Sequence, residues 1–256
     1  MDLGFTGRVV LITGAGGGAG STIARAFASE GAIVALHQRA PGSPAEPSRA
    51  ERTANDIVAA GGRALAVSAD LRSTDEVTAM IEHVASEAGQ VSVLVTATSA
   101  YRSDPFVDIS DEAWASIVDD MLGATFRACR AVAPGMRAAG FGRIVTIAAR
   151  SGLVGVSRAA HYAAAKAGIV GLTASLAKEL GPSGILVNAV APTQILTMTD
   201  GQPSIPGERA AEMAKSIPLR RLATPEDLAA VVLWLGSAAN TYVSGQTISL
   251  TGGAQS

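Results

Sequence analysis

The chain has one cysteine, Cys129, so no intramolecular disulfide framework can hold it together. Its Ala-rich, helix-patterned surroundings read it as a small buried hydrophobe. Histidine is almost as scarce: His37, His83 and His161 stand far apart and without ligand spacing, which argues against a histidine-based metal site. No apolar run reaches the length that spans a bilayer, and Met1 to Gly7 carries neither the basic region nor the apolar core of a secretory leader. A bias of charge is also missing, because the formal net charge is only −2. There is then no electrostatic reason to expect nucleic acid or an anionic membrane as partner. These absences leave a soluble, cytoplasmic protein as the expectation.

What remains is the make-up of an α/β globule. Aromatics are 4% of 256 residues, while 48% are hydrophobic and 28 are glycine, so the core is packed mainly with Ala, Val, Leu and Ile. Short apolar runs alternate with longer helical patterns, as successive β–α units do. The pattern predicts strands at Val9–Thr13, Ile33–Leu36, Ala64–Ser68, Val91–Val95, Ile144–Ile147, Ile185–Val190 and Thr247–Ser249. Several are nearly continuous in apolar residues, which suits a doubly wound parallel sheet of about seven strands with helices on both faces. Helices are predicted at Gly20–Glu30, Arg49–Ala60, Thr74–Ala88, Asp111–Ala138, Ala159–Leu180 and Thr224–Leu235, with a short one near Glu208–Ser216. Thr224 is placed to cap the last long helix, with Pro225 following and Glu226 and Asp227 favouring its positive end. Pro41–Pro47 reads as a surface loop and Pro192–Pro206 as an irregular stretch. No composition break divides the chain, so residues 1–256 read as one domain.

Thr13 to Gly20, with glycines at 14, 16, 17, 18 and 20, follows the first strand and opens a helix. Glycines let the backbone turn sharply and approach a pyrophosphate, while the helix N-terminus offers free N–H donors. A flexible loop would explain the glycines alone; their place after the first strand is what favours a dinucleotide site at Gly14, Gly16, Gly17, Gly18 and Gly20. Gln38 and Arg39 end the second strand, where NAD sites usually present an acid. A basic residue there accommodates a 2′-phosphate, so the pair favours NADP(H) over NAD(H), although Arg39 could also simply solvate a loop. Asp70, after the third strand, reads equally as an acceptor for the adenine amino group and as a turn-forming aspartate.

Tyr162 and Lys166 lie four residues apart in a predicted helix, hence on one face. A nearby ammonium favours the phenolate, so a lowered tyrosine pKa and acid–base work near neutrality are expected. Together with Thr13–Gly20 this pair resembles the classical short-chain dehydrogenase/reductase family. The resemblance runs on through Ile217-Pro218-Leu219, Thr224-Pro225-Glu226-Asp227, Val243-Ser244-Gly245-Gln246 and Gly252-Gly253. It implies a Rossmann-like fold, with Tyr162 as acid/base and Lys166 binding the nicotinamide ribose and tuning the tyrosine. It also implies a homotetramer or homodimer, with the helices at 111–138 and 159–180 packing between subunits.

The departures from the family pattern are informative. The family's serine, thirteen residues before the tyrosine and three before a glycine, falls on Ala149. The family's asparagine, seven residues after a helix tryptophan, here Trp114, falls on Met121. The usual Asn-Asn-Ala-Gly reads Thr96-Ala97-Thr98-Ser99, and the usual Pro-Gly reads Pro192-Thr193. Thr98, Ser99 or Ser151 could supply a replacement hydroxyl, each being otherwise an ordinary strand-end or turn residue. Tyr101, Phe106, Met121, Leu153 and Met198 could line an apolar substrate pocket, or belong individually to the core.

The leading expectation is an NAD(P)(H)-dependent oxidoreductase acting on a small carbonyl or alcohol. Two others stay open. One is non-redox chemistry on the same fold; the other is a silent nucleotide-binding or oligomer-forming subunit, which Ala149 and Met121 favour and the Tyr162–Lys166 pair opposes.

Overall fold

The computed structural model describes residues 2–39, 48–199 and 202–254, so the loop expected at 41–47 lies outside the described residues. In chain order the elements are β1 (Val9–Thr13), α1 (Gly18–Ser29), β2 (Ile33–Gln38), α2 (Arg49–Ala59), β3 (Arg63–Ser68), α3 (Thr74–Ala88) and β4 (Val91–Thr96). They continue with α4 (Asp111–Val118), α5 (Ala124–Ala139), β5 (Gly142–Ile147), α6 (Ser151–Val154), α7 (Ala160–Leu180) and β6 (Ile185–Pro192). The chain then forms β7 (Met198–Thr199), β8 (Gln202–Pro203), α8 (Gly207–Lys215), α9 (Pro225–Gly236) and β9 (Thr247–Leu250).

Seven strands form one parallel sheet in the order β3-β2-β1-β4-β5-β6-β9. The apolar runs are explained by burial on both faces. In β1, Val10 and Ile12 face a core built with Ile23 and Phe27 of α1 and Val232 of α9. Val9 and Leu11 face the opposite core, with Met80 and Val84 of α3 and Val132 of α5. A strand buried on both sides shows no alternation of polar residues, so the sequence reads as one run. The chain reverses its winding between β1 and β4, and the crevice beyond their carboxyl ends is where open α/β sheets bind ligands. The Rossmann-like architecture is therefore the one the sequence led us to expect.

Two expectations need correction, and one element was not expected. The helix read at 111–138 is interrupted: α4 and α5 are joined by a π-helical turn at Asp119–Gly123. One residue is inserted into the helical repeat there, and Met121 at its centre is wholly buried. Hydrophobic periodicity read over the whole stretch averages across such an insertion. Ahead of α7, the chain makes the extra short helix α6, whose Gly152 packs so tightly on α7 that a Cβ there would lie 2.7 Å from the Lys166 carbonyl carbon. The stretch at 192–206 is not wholly irregular, because β7 and β8 pair antiparallel within it. At the start of α9, Thr224 and Asp227 form a reciprocal capping box, as the local signals imply. Cys129 is buried, and desolvation pushes its thiol up to about 12, in keeping with an inert core position.

Candidate active site

The glycine turn leaves β1 at Gly14, which has φ +73°, a left-handed conformation suited to glycine. A Cβ on Gly14 would stand 2.8 Å from the Ala97 carbonyl oxygen, so the loop after β4 rests directly on the turn. A Cβ on Gly20 would stand 2.6 Å from the Gly14 carbonyl oxygen, and one on Gly18 would lie 3.0 Å from Cβ of Thr197. Gly17 is the N-cap of α1, and no side chain caps that helix. Its first N–H groups therefore face the crevice with the positive end of the helix dipole, the arrangement that receives a pyrophosphate. The residues present fit a dinucleotide.

His37 fastens this turn, a role that sequence reasoning did not give it. The imidazole is buried at the end of β2; its Nδ1 accepts from the Gly14 N–H (3.4 Å) and its Nε2 lies 3.0 Å from the Ala69 carbonyl oxygen. Accepting at Nδ1 places the proton on Nε2, which then donates to Ala69. Burial lowers the His37 pKa, which keeps the ring neutral and able to accept.

From the turn a cleft of about 340 Å³ runs past the ends of β2, β3 and β4, lined among others by Gly16, Gln38, Arg39, Arg72, Ser99 and Asp120. Gln38 uses its side-chain oxygen to accept from the Ala50 N–H in the first turn of α2, so part of its capacity is structural. Arg39 does not merely solvate a loop, because its guanidinium pairs with Asp120 at 2.9 Å across the cleft. Asp70 takes the turn geometry: it accepts from the Arg72 backbone N–H and holds the Arg72 guanidinium through both carboxylate oxygens. Those hydrogen bonds hold its carboxyl at about 2. Arg72 thus joins Arg39 at the cleft, a second cation that the glycine turn lacks; only the fold brings the two together.

At the other end, α7 presents Tyr162 and Lys166. The Lys166 side chain is almost wholly buried; Nζ donates to the Ile147 carbonyl at 2.8 Å and to the Thr98 carbonyl at 3.4 Å, and lies 5.9 Å from the Tyr162 ring centroid. Desolvation pulls the ammonium down to about 8. The expected lowering of the tyrosine pKa is not found. Burial raises the Tyr162 pKa, Ser99 beside it opposes that rise, and Tyr101 adds to it. Tyr101 stands edge-on to the Tyr162 ring, with centroids 5.2 Å apart.

Of the apolar residues proposed for a pocket, Met121 is in the core with Ala148, Ala165 and Ile169. Tyr101, Phe106, Leu153 and Met198 are exposed, so neither the core reading nor an enclosed pocket describes them. Ala149 is buried in the loop after β5, and its methyl offers no hydrogen bond. Ser151 begins α6, while Ser99 lines the cleft.

Residues 14–255 match the family model described as Enoyl-(Acyl carrier protein) reductase. The chain is 35% identical over 251 residues to the 3-oxoacyl-[acyl-carrier-protein] reductase FabG of Pseudomonas aeruginosa, covering 98% of each chain. It belongs to the classical short-chain dehydrogenase/reductase family. Among other members, the short-chain reductase protein NovJ of Streptomyces niveus is 36% identical over 253 residues, covering 96% of this chain and 93% of that protein. A solved structure of a putative gluconate dehydrogenase from Agrobacterium tumefaciens superposes with a TM-score of 0.90 at 28% identity, covering 99% and 98% of the two chains. Short-chain dehydrogenases/reductases are oxidoreductases that bind a nicotinamide cofactor. No described helix is long and apolar enough to cross a membrane.

Proposed function

We propose that the protein is an NAD(P)(H)-dependent oxidoreductase interconverting a carbonyl and an alcohol, with Tyr162 as acid/base and Lys166 assisting. The observation that carries this reading is the convergence of one tyrosine and one buried ammonium on the carbonyl ends of β4 and β5, beside the glycine turn. When bound, the cofactor supplies a hydride to the carbonyl carbon or accepts one from the carbinol. Tyr162 gives its phenolic proton to the oxygen in reduction and recovers it in oxidation. Lys166, held by two carbonyl oxygens, presents the remaining N–H of its ammonium and compensates the phenolate charge. Gly14, Gly16, Gly17, Gly18 and Gly20 form the pyrophosphate seat, with Gln38, Arg39 and Asp70 around the adenosine. The 3-oxoacyl group in the name of the relatives is a carbonyl of the required kind, and an apolar carbonyl compound is the substrate class proposed here. We further place the whole chain in one cytoplasmic domain that assembles as a homotetramer or homodimer.

NADP(H) is the preferred cofactor in this reading, because Arg39 and Arg72 both face the adenosine end of the cleft. Calorimetry with NADPH and NADH is expected to show tighter binding of NADPH. Arg39→Asp should weaken NADPH by roughly 10-fold or more, the effect of losing a hydrogen bond to a charged group, and spare NADH. Equal losses for both cofactors would remove Arg39 from the 2′-phosphate.

The rate of reduction is also expected to depend on the charge of Lys166. The ammonium is present below about 8 and lost above it, so kcat/KM should fall as pH rises through that value. A profile that stays flat from about one unit below to one unit above would remove the ammonium from the mechanism.

A silent, nucleotide-binding role is the second reading, favoured by the buried methyl of Ala149 and by the apolar surroundings of Met121. Binding of NADPH without turnover over a broad panel of ketones and alcohols would support it.

A further inference from the structure

We propose that Asp120 is a specificity-determining residue of the cleft: its carboxylate holds Arg39, and the 2′-phosphate of a ligand must take the guanidinium from it. The inference rests on the nicotinamide-cofactor reading above and deepens it, because it concerns how Arg39 becomes available. Nη2 of Arg39 lies 2.9 Å from Oδ1 of Asp120, and both residues line the cleft of about 340 Å³ that starts at the glycine turn. Arg39 follows β2 directly, whereas Asp120 stands on the π-helical turn between α4 and α5, so the pair joins two separate walls.

The turn that presents Asp120 is itself anchored. Asp119 pairs with Arg127 at 2.7 Å, and Arg127 also donates to the Leu71 carbonyl at 3.1 Å, which ties the turn to the segment after β3. Gly123 leaves room for that pair, since a Cβ there would overlap the Asp119 carboxylate. Two successive carboxylates thus serve two different arginines. The Asp120 side chain is 17% exposed and that of Arg39 is 58% exposed. The carboxylate is therefore the fixed member, and the guanidinium is the one free to change rotamer.

Arg72, the other arginine of the cleft, is also engaged. Asp70 accepts from its Nε and Nη2, and the same Nε stands 4.0 Å from Oδ1 of Asp120. Arg39 and Arg72 each face a carboxylate already, so a 2′-phosphate binds by an exchange of partners. A ribose with a free 2′-hydroxyl brings no charge to Arg39 and lets the pair stand. Asp120 therefore works against NADP(H) relative to NAD(H) and limits the preference that Arg39 provides, in the way that a repulsive or competing element sets a difference of affinities.

Calorimetry with adenosine 2′,5′-bisphosphate and adenosine 5′-monophosphate, at one fixed ionic strength, tests this on the whole chain without turnover. Asp120→Asn keeps the shape of the side chain and removes its charge. Asp120→Ala is a second removal should the first fold poorly, and Asp120→Glu returns the carboxylate. Removing the charge is expected to raise the preference for the bisphosphate about 2- to 5-fold, the worth of a part-exposed ion pair. Asp120→Glu should bring the ratio back toward that of the unaltered protein. In an Arg39→Ala background most of the gain from Asp120→Asn should vanish, because no guanidinium is left to release. A ratio unchanged by both removals, including one in which both nucleotides weaken together, would overturn the proposal. So would an equal gain in the Arg39→Ala background, which marks a carboxylate acting on the phosphate directly. If the unaltered protein binds neither nucleotide, the cofactor reading fails and takes this proposal with it. That outcome is distinct from an unchanged ratio in a protein that binds both.

Discussion

Replacing Tyr162 by Phe is expected to lower carbonyl reduction by roughly 10²- to 10⁴-fold, the range for removing a positioned acid, while NADPH binding persists. The ring packing would survive, because the T-shaped contact with Tyr101 is between rings, with centroids 5.2 Å apart. What is lost is the proton. Burial holds the Tyr162 pKa above that of a free phenol, so the group is protonated at neutral pH and ready to donate. The same shift disfavours the phenolate that alcohol oxidation needs. The protein should therefore run better as a reductase near neutrality and oxidise alcohols only as the pH is raised toward the phenol's own range. Stopped-flow reduction of a ketone by NADPH measures the first effect. A Phe variant that reduces at the full rate would exclude Tyr162 as the acid, and an unchanged biological role in such a variant would favour the silent reading.

Gly20→Val should be nearly as damaging, through the cofactor rather than the chemistry. The new Cβ would meet the Gly14 carbonyl oxygen at 2.6 Å and the Ala15 Cα at 2.8 Å, both backbone atoms that cannot swing aside. Overpacking of this kind destabilises by about 1–3 kcal/mol, and each kcal/mol lowers Tm by about 2–4 °C in a chain of this size. Opening the turn also pulls Gly14 from the imidazole of His37 and moves the first N–H groups of α1. NADPH affinity should fall on the order of 100-fold, the loss of about two charge-assisted hydrogen bonds. Calorimetry beside a thermal melt separates the two effects. A variant that melts lower yet binds NADPH as before would show that the pyrophosphate seats elsewhere.

The parts of this molecule legible in its sequence are those fixed by neighbours along the chain. The seven strands of the sheet were recognised to within two residues at each end, because burial on both faces writes itself as Val9-Val10-Leu11-Ile12 or Ile185 to Val190. The cap at Thr224 was equally local. Tyr162 and Lys166 could be paired because one helical turn separates them. The contacts missed join residues distant in the chain: Gly14 with His37 across 23 positions, and Arg39 with Asp120 across 81. No spacing rule connects such residues until the sheet order is known. The acidity of Tyr162 was misjudged for a related reason. The lysine could be inferred from sequence, whereas the depth of burial that raises the tyrosine could not.

The π-helical turn between α4 and α5 gives this stretch two angular phases. One additional residue rotates everything after it by about 100° about the helix axis. Asp111–Val118 and Ala124–Ala139 therefore keep separate bookkeeping of which side is inward, and a heptad ruler laid from Trp114 misassigns every residue beyond Gly123. Deleting a single residue from Asp119–Gly123 would restore one regular spiral. It would also turn Cys129, Val132 and Met136 out of the sheet, or else swing Ile117 away from α7. Within this stretch the number of residues, as much as their kind, decides which side chains reach the core.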